Sequence, residues 1–287
     1  MSALLVSTHA ELLAARSTSH PVAVVMTMGA LHEGHAALIR QAREIVGRAG
    51  FVIVSDFVNP TQFGVGEDFD RYPRTLEHDV EVSGRAGADV VYAPSVAEMY
   101  GTDQLDQLND QVMVDPGPLG ATLEGVVRPG HFKGMLTIVG KLLHLTAPDY
   151  ALFGEKDYQQ LALITAMVQS LRFPVKVIGV PTIREDDGLA MSSRNRFLSR
   201  EERALAAVVP RAIQVAAEVA AHDGASAGER AGLAILAEHP EFTVDYLTIT
   251  NPQLGPPVSG EGRVLVAVRL GSTRLIDNVA CHVSASS

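Results

Sequence analysis

Short β-branched apolar runs alternate with helical patterns from the start of the chain to about residue 182, and this alternation constrains the fold more than any other feature. Val22 to Met26, Phe51 to Phe57, Asp89 to Ala93, Tyr150 to Phe153 and Val175 to Val180 are apolar and too short for helices, so they read as strands. Helical patterns lie between them: Gly34 to Val46, a polar stretch at 76–86, one carrying Met135, Ile138, Val139 and Leu142, and one from Asp157. Thr8 and Glu11 have capping-box spacing before a leucine-rich helix. Strands separated by helices are joined by right-handed crossovers, which predicts an α/β fold: a Rossmann-like parallel sheet flanked by helices.

The remainder has a different rhythm. Ser199 with Glu202 and Ser226 with Glu229 form two further capping boxes, each opening an alanine-rich helix. Three β-rich runs follow, Phe242 to Ile249, Arg263 to Arg269 and Arg274 to Val283, the last two joined by the turn signal Leu270-Gly271-Ser272-Thr273. The expected organisation is a domain over 1–182 and a smaller C-terminal α+β domain with antiparallel strands over 183–287.

Charge and cysteine content exclude several classes of function. With 33 acidic against 23 basic side chains the formal charge is −10, unsuited to nonspecific binding of nucleic acid or anionic membranes. Cys281, the single cysteine, permits neither a disulfide framework nor a thiolate-rich metal site within one chain. No apolar run reaches the ~18 residues of a membrane span, and the N-terminus lacks the pattern of a signal peptide. A cytoplasmic protein without membrane or nucleic-acid partners is expected. Only four of the basic residues are lysines: Lys133, Lys141, Lys156 and Lys176.

The densest chemical cluster is Thr27-Met28-Gly29-Ala30-Leu31-His32-Glu33-Gly34-His35, at the carboxyl end of the first inner strand. Open α/β sheets bind ligands in the crevice beyond their strand ends. Gly29 and Gly34 admit close backbone approach, and the helix start at Gly34-His35 offers N–H groups to an anion. Two histidines three residues apart can hydrogen-bond phosphate oxygens together; the bland alternative is that they cap the helix. His-Glu-Gly-His lacks the spacing of the helical zinc motif. At a second junction, Phe153-Gly154-Glu155-Lys156-Asp157-Tyr158-Gln159-Gln160, a lysine opposes the helix dipole unless an anion is bound there. Asp157 suits either an N-cap or a ribose hydroxyl. Met191-Ser192-Ser193-Arg194 supplies hydroxyls and a guanidinium fit for a polyanion. Asn59 and Gln62, just past another strand, suit a substrate with hydroxyls and a carboxylate, or simply a turn. Arg128 to Gly134 adds Arg128, His131 and Lys133, and Glu77-His78-Asp79 is a metal candidate or a charged helix start.

Together these segments resemble the pantoate–β-alanine ligase family of the nucleotidylyltransferase superfamily, over nearly the whole chain. The carriers are Met28 to His35, a counterpart of the HIGH signature; Phe57-Val-Asn-Pro-Thr-Gln-Phe-Gly64; Arg71-Tyr-Pro-Arg-Thr75; Arg128-Pro-Gly-His-Phe132; Phe153 to Gln160; and Met191-Ser-Ser-Arg-Asn195. The resemblance implies that ATP and (R)-pantoate give pantoyl adenylate and pyrophosphate, after which β-alanine attacks to give pantothenate and AMP. It implies an ATP site of Met28, Gly29, Ala30, Leu31, His32, Glu33, Gly34, His35, Gly154, Glu155, Lys156, Asp157, Ile183, Met191, Ser192, Ser193 and Arg194. Gln62 and Gln160, with Asn59 and His131 nearby, would take the small substrates. His35, supported by His32, is the family's catalytic histidine, and Lys156 and Arg194 join them in stabilising charge. Mg²⁺ as cofactor, a homodimer and a C-terminal lid are also implied. Two positions depart from the family: Met26 stands where proline is usual, and His78 where a carboxylate is, leaving Asp79 as the metal ligand retained. A nucleotidylyltransferase acting on a phosphorylated acceptor is the main rival; it calls for a further basic cluster, whereas Asn59, Gln62 and Gln160 offer amides. A nonenzymatic nucleotide-binding module would not need Lys156, Arg194 and both histidines.

Overall fold

A computed structural model describes residues 2–16, 21–64 and 69–285. The chain divides into two compact units, Met1–Glu155 with Leu163–Val180, and Lys156–Ala162 with Pro181–Ser287.

In the first unit the elements run β1 (Leu4–Val6), α1 (His9–Ala15), β2 (Val22–Thr27), α2 (Glu33–Val46), β3 (Phe51–Asp56), α3 (Leu76–Ala86), β4 (Val90–Tyr92), α4 (Val96–Tyr100), α5 (Glu124–Val127), α6 (His131–Thr146), β5 (Tyr150–Gly154), α7 (Tyr158–Ser170) and β6 (Lys176–Val180). The first residues of α7 count with the second unit. Six strands form one sheet in the order β1-β4-β3-β2-β5-β6, and every pair is parallel. Val22, Ala23, Val24 and Val25 of β2 are at most 1% exposed, because a parallel strand with helices on both faces has no solvent side. Helix α2 turns Ala36, Ile39, Ala42 and Val46 onto Val25, Val52 and Val54, the three-to-four spacing of a helix with one apolar stripe. From β2 the chain builds outward through β3 and β4, then returns to add β5 on the other side of β2. That reversal is a topological switch point, and it sets the ends of β2 and β5 side by side.

The expected strands and helices all form. Strand β1 and helix α4 were not legible, being three and five residues long. The stretch at 101–130, rich in Asp, Gly and Pro, folds into 3-10 turns at Leu105–Asp110 and Pro118–Ala121 and the single-turn α5.

The second unit contains α8 (Arg200–Leu205), α9 (Val208–Asp223), α10 (Ala225–Ala237), β7 (Phe242–Thr250), β8 (Gly260–Leu270) and β9 (Thr273–Val283). Its strands pair antiparallel in the order β7-β8-β9, and β8 turns into β9 through Gly271-Ser272, as the turn signal predicts. Ser199 and Glu202 form a reciprocal capping box. The box expected at Ser226 and Glu229 does not form. Gly224, at φ +80°, makes the sharp exit from α9 and caps α10, which places Ser226 inside the helix. Glu229 instead accepts from Thr248 Oγ1 at 2.8 Å and the Ile249 amide at 2.7 Å, tying α10 to β7. Arg200–Asp223 has the length and apolarity of a membrane span. It is interrupted after Leu205, and Val209, Ala212, Ile213, Ala216 and Ala220 belong to this unit's core.

Candidate active site

Past the end of β2 the backbone makes a tight turn with two successive left-handed residues, Gly29 at φ +81° and Ala30 at φ +53°. A side chain at Gly29 would place its Cβ 2.6 Å from Asp56 Oδ1, so only glycine fits. Ala30 has no such freedom and is strained, so the surroundings must hold it. Asp79 does so from the first turn of α3. Only 1% exposed, its carboxylate accepts the Ala30 amide at 2.9 Å, the Leu31 amide at 2.7 Å and the Thr75 hydroxyl at 3.0 Å. Asp79, expected from the resemblance to hold a metal, here accepts hydrogen bonds from the turn through both its oxygens. Among the described residues no group of three or more His, Cys, Asp or Glu side chains is placed to hold a metal ion. Burial, and then the Asp79 charge, push the neighbouring Asp56 carboxyl up to about 7.

His32 and His35 stand at the start of α2 with ring centroids 4.1 Å apart. They cap the helix reciprocally: His32 Nδ1 accepts the Gly34 amide at 3.1 Å, and His35 Nδ1 accepts the His32 amide at 3.3 Å. Capping and chemistry are therefore not alternatives here. A neutral imidazole that accepts at Nδ1 carries its proton on Nε2, so the cap fixes each ring in a tautomer that donates from Nε2. Two such donors at a helix start suit phosphate oxygens.

The first unit also gathers four dispersed positions named from sequence. Gln62 Nε2 lies 2.8 Å from Met28 Sδ, Gln62 Oε1 accepts from Asn59 Nδ2 at 3.2 Å, and the Gln62 carbonyl lies 2.8 Å from His131 Nδ1. Arg128 NH1 is 3.0 Å from the other nitrogen of that ring. Asn59 is 1% exposed; its Nδ2 donates to the Gly134 carbonyl at 3.2 Å and its Oδ1 accepts the Tyr100 hydroxyl at 2.7 Å. Gly134 has to be glycine, because a Cβ there would lie 2.0 Å from the Thr61 carbonyl oxygen. The Asn59 loop thus seats directly on α6. Tyr100 was missed from sequence, since it ends a five-residue helix, and Asp56 reads there only as the end of an apolar strand.

Gly154 ends β5, and Glu155–Asp157 form a 3-10 turn leading into α7. Lys156 thus lies just ahead of the helix, its Nζ 3.7 Å from Asp157 Oδ1 and its side chain 18% exposed. Gln160 lies in the first turn of α7. Elsewhere in the second unit, the Met191 amide donates to the Ile183 carbonyl at 2.9 Å, bringing together two separately named positions. Ser192 caps the 3-10 turn Ser193–Phe197, which carries Arg194, through its hydroxyl at 3.3 Å from the Arg194 amide. Asn195 secures that turn to the Ala190 carbonyl and to Glu185.

Comparison with known proteins finds relatives in both sequence and fold. The sequence profile of the pantoate-β-alanine ligase family matches residues 5–280. A pantothenate synthetase from a Nocardioides species is 54% identical over 276 residues, covering 93% of this chain and 81% of that protein. One from Salinispora arenicola is 51% identical and covers 98% of each. A crystal structure of pantothenate synthetase from Thermus thermophilus superposes with a TM-score of 0.88 at 48% identity, covering 96% of this chain and 98% of that one. A pantoate-β-alanine ligase from Francisella tularensis, crystallised with β,γ-ATP and β-alanine, gives a TM-score of 0.78 at 30% identity, covering 97% of each chain. The chain belongs to the pantoate–β-alanine ligase family.

Proposed function

We infer that this chain condenses (R)-pantoate with β-alanine at the expense of ATP, giving pantothenate, AMP and pyrophosphate through a pantoyl adenylate. The observation that carries the reading is the interlocked set Met28, Asn59, Gln62 and His131 in the unit that holds the His32–His35 turn. The set pairs the amides of Asn59 and Gln62 with His131 and its neighbour Arg128, a mixture of neutral donors and acceptors with a cation that suits a hydroxy-carboxylate.

The pantoate carboxylate is ionised at neutral pH, so adenylation needs no general base. It needs charge stabilisation at the α-phosphate as pyrophosphate departs. We assign that work to the Nε2 donors of His32 and His35, with Lys156 and Arg194, and nucleotide contacts to Met28–His35, Gly154–Asp157, Ile183 and Met191–Arg194. Gln62 and Gln160 take pantoate, with Asn59 and His131 behind them. The second step needs β-alanine as the free amine, because its ammonium has no lone pair.

The metal belongs in this proposal as Mg²⁺ carried on the phosphates of ATP. Asp79 does not fit as its ligand, since backbone donors occupy both its oxygens, and Mg²⁺ is commonly held largely by substrate phosphates and water. The homodimer, the cytoplasmic location and the C-terminal unit as a cover for the acyl adenylate are retained as parts of the same reading.

ATP–pyrophosphate exchange with pantoate and Mg²⁺, without β-alanine, tests the reading. Exchange that depends on pantoate is expected, and its absence would sink the adenylate mechanism.

A further inference from the structure

Two consecutive polar residues of β9, Asp277 and Asn278, are each 3% exposed. Neighbours in a strand point to opposite faces, so the two address different surroundings. The Asp277 carboxylate accepts from both terminal nitrogens of Arg184, at 2.7 and 2.9 Å, and from the Asn278 amide at 2.7 Å. Arg184 also donates to the Asn278 carbonyl at 3.2 Å. On the other face Asn278 Nδ2 donates to the main-chain carbonyl of Lys156 at 2.8 Å, across 122 positions of sequence. Asn278 Oδ1 accepts from Arg263 Nε at 2.7 Å, and the Arg263 guanidinium lies 4.1 Å from the centre of the Tyr158 ring. Tyr158 in turn donates to the Pro252 carbonyl at 3.1 Å. Every group in this network belongs to the second unit.

We propose that Asn278 is a positioning residue for Lys156 and that Asp277 does the same for the Ile183–Arg184 segment, so that one dipeptide of β9 sets two parts of the nucleotide machinery. The proposal rests on the reading of Lys156 as a phosphate ligand. A lysine ammonium sits at the end of a four-carbon stem, and its reach is defined only if its main chain is fixed. The buried amide does this in a way no close analogue can copy. Its Nδ2 must donate to Lys156 while its Oδ1 accepts from Arg263, and a carboxylate of the same shape would set an oxygen against the Lys156 carbonyl. Displacing a reacting group by about 1 Å costs roughly 10²-fold in rate, so the effect belongs in the rate constant of adenylation more than in the binding of ATP.

The test is single-turnover adenylate formation with enzyme in excess over ATP, for Asn278→Asp in the wild-type background and in Lys156→Ala. The expected result is a loss of about 10- to 100-fold in the first background, with the KM for ATP in steady-state exchange moved less than about 3-fold. In Lys156→Ala, where nothing remains to position, the same substitution changes the residual rate by less than about 3-fold. Equal losses in both backgrounds, or no loss in the first, would overturn the proposal. Asn278→Ser, which keeps a small polar group, serves if Asn278→Asp does not fold, and is judged by the same two comparisons. Absence of adenylate from the wild type overturns the functional reading and this inference with it; wild-type activity with additive losses overturns this inference alone.

Discussion

Asp56 and Asp79 stand side by side against the Gly29 turn, where a Cβ on Gly29 would lie 2.6 Å from Asp56 Oδ1 and 3.2 Å from Asp79 Oδ2. Burial and then the Asp79 charge raise Asp56 from the usual carboxylate range to about 7, so the native state favours its neutral form. A group raised in this way contributes stability in full below the unfolded value near 4, and loses it as the pH climbs to about 7. Relative to Asp56→Asn, the wild type is expected to lose stability on the order of 1 kcal/mol per pH unit across that window. Urea midpoints of both proteins between pH 4.5 and 8 check this, and parallel profiles would refute it.

Asp79 holds the turn by accepting two amide N–H groups. Asp79→Asn directs an NH₂ group at one of those amides. The expected cost is about 1–3 kcal/mol of stability and roughly 10-fold or more in ATP–pyrophosphate exchange per folded molecule. A variant with lowered stability and unchanged exchange would show that the turn's conformation is immaterial to the chemistry.

Gly29→Ala meets two obstacles at once, a left-handed backbone and a contact of 2.6 Å with Asp56 Oδ1. Loss of roughly 1–3 kcal/mol, with exchange activity reduced further than stability, is expected. Thermal melts and exchange rates on the same preparation measure both.

Tyr100 donates to Asn59, in the loop proposed to take pantoate. Removing its hydroxyl in Tyr100→Phe leaves a buried acceptor short of one donor, worth about 1 kcal/mol. A rise of about 5-fold in the KM for pantoate, with the KM for ATP unchanged, is the expected signature; equal changes in both would point to general loosening.

Lys156→Ala is expected to lower adenylate formation by roughly 10²- to 10³-fold, leaving a measurable residual rate and an intact fold. Circular dichroism together with the exchange assay decides it, and near-wild-type exchange would mean the phosphate site lies elsewhere.

The parallel sheet was legible because its strands are uninterrupted apolar runs and its helices carry full periodic stripes. Strand β1 was not, since three residues carry no period. The glycine-rich turn announced itself through Gly29 and the histidine pair, but the sequence left capping and function as competing readings. The geometry shows the cap, made through Nδ1 of each ring, and the proposed chemistry uses Nε2, so the two readings are compatible. Asp79 was picked out as a metal candidate, but its hydrogen bonds to the turn were not legible, since a local sequence cannot show that a carboxylate on α3 faces the amides after β2. Asn278 left only a faint trace, a polar pair between the apolar runs Leu275-Ile276 and Val279-Ala280, and its partner Lys156 lies 122 positions away. The Ser226 box misled because its glutamate finds better donors on β7 than at its own helix start.

The reciprocal histidine cap has a consequence for how this turn can change over evolutionary time. Each ring caps the helix start through Nδ1 and, when neutral, carries its proton on Nε2. Replacing one therefore removes a proposed phosphate donor and simultaneously reopens the helix cap that holds the other. A single replacement is expected to be penalised twice, so the two positions are expected to tolerate change only together. An engineered substitute must reproduce two hydrogen-bonding directions per ring rather than one.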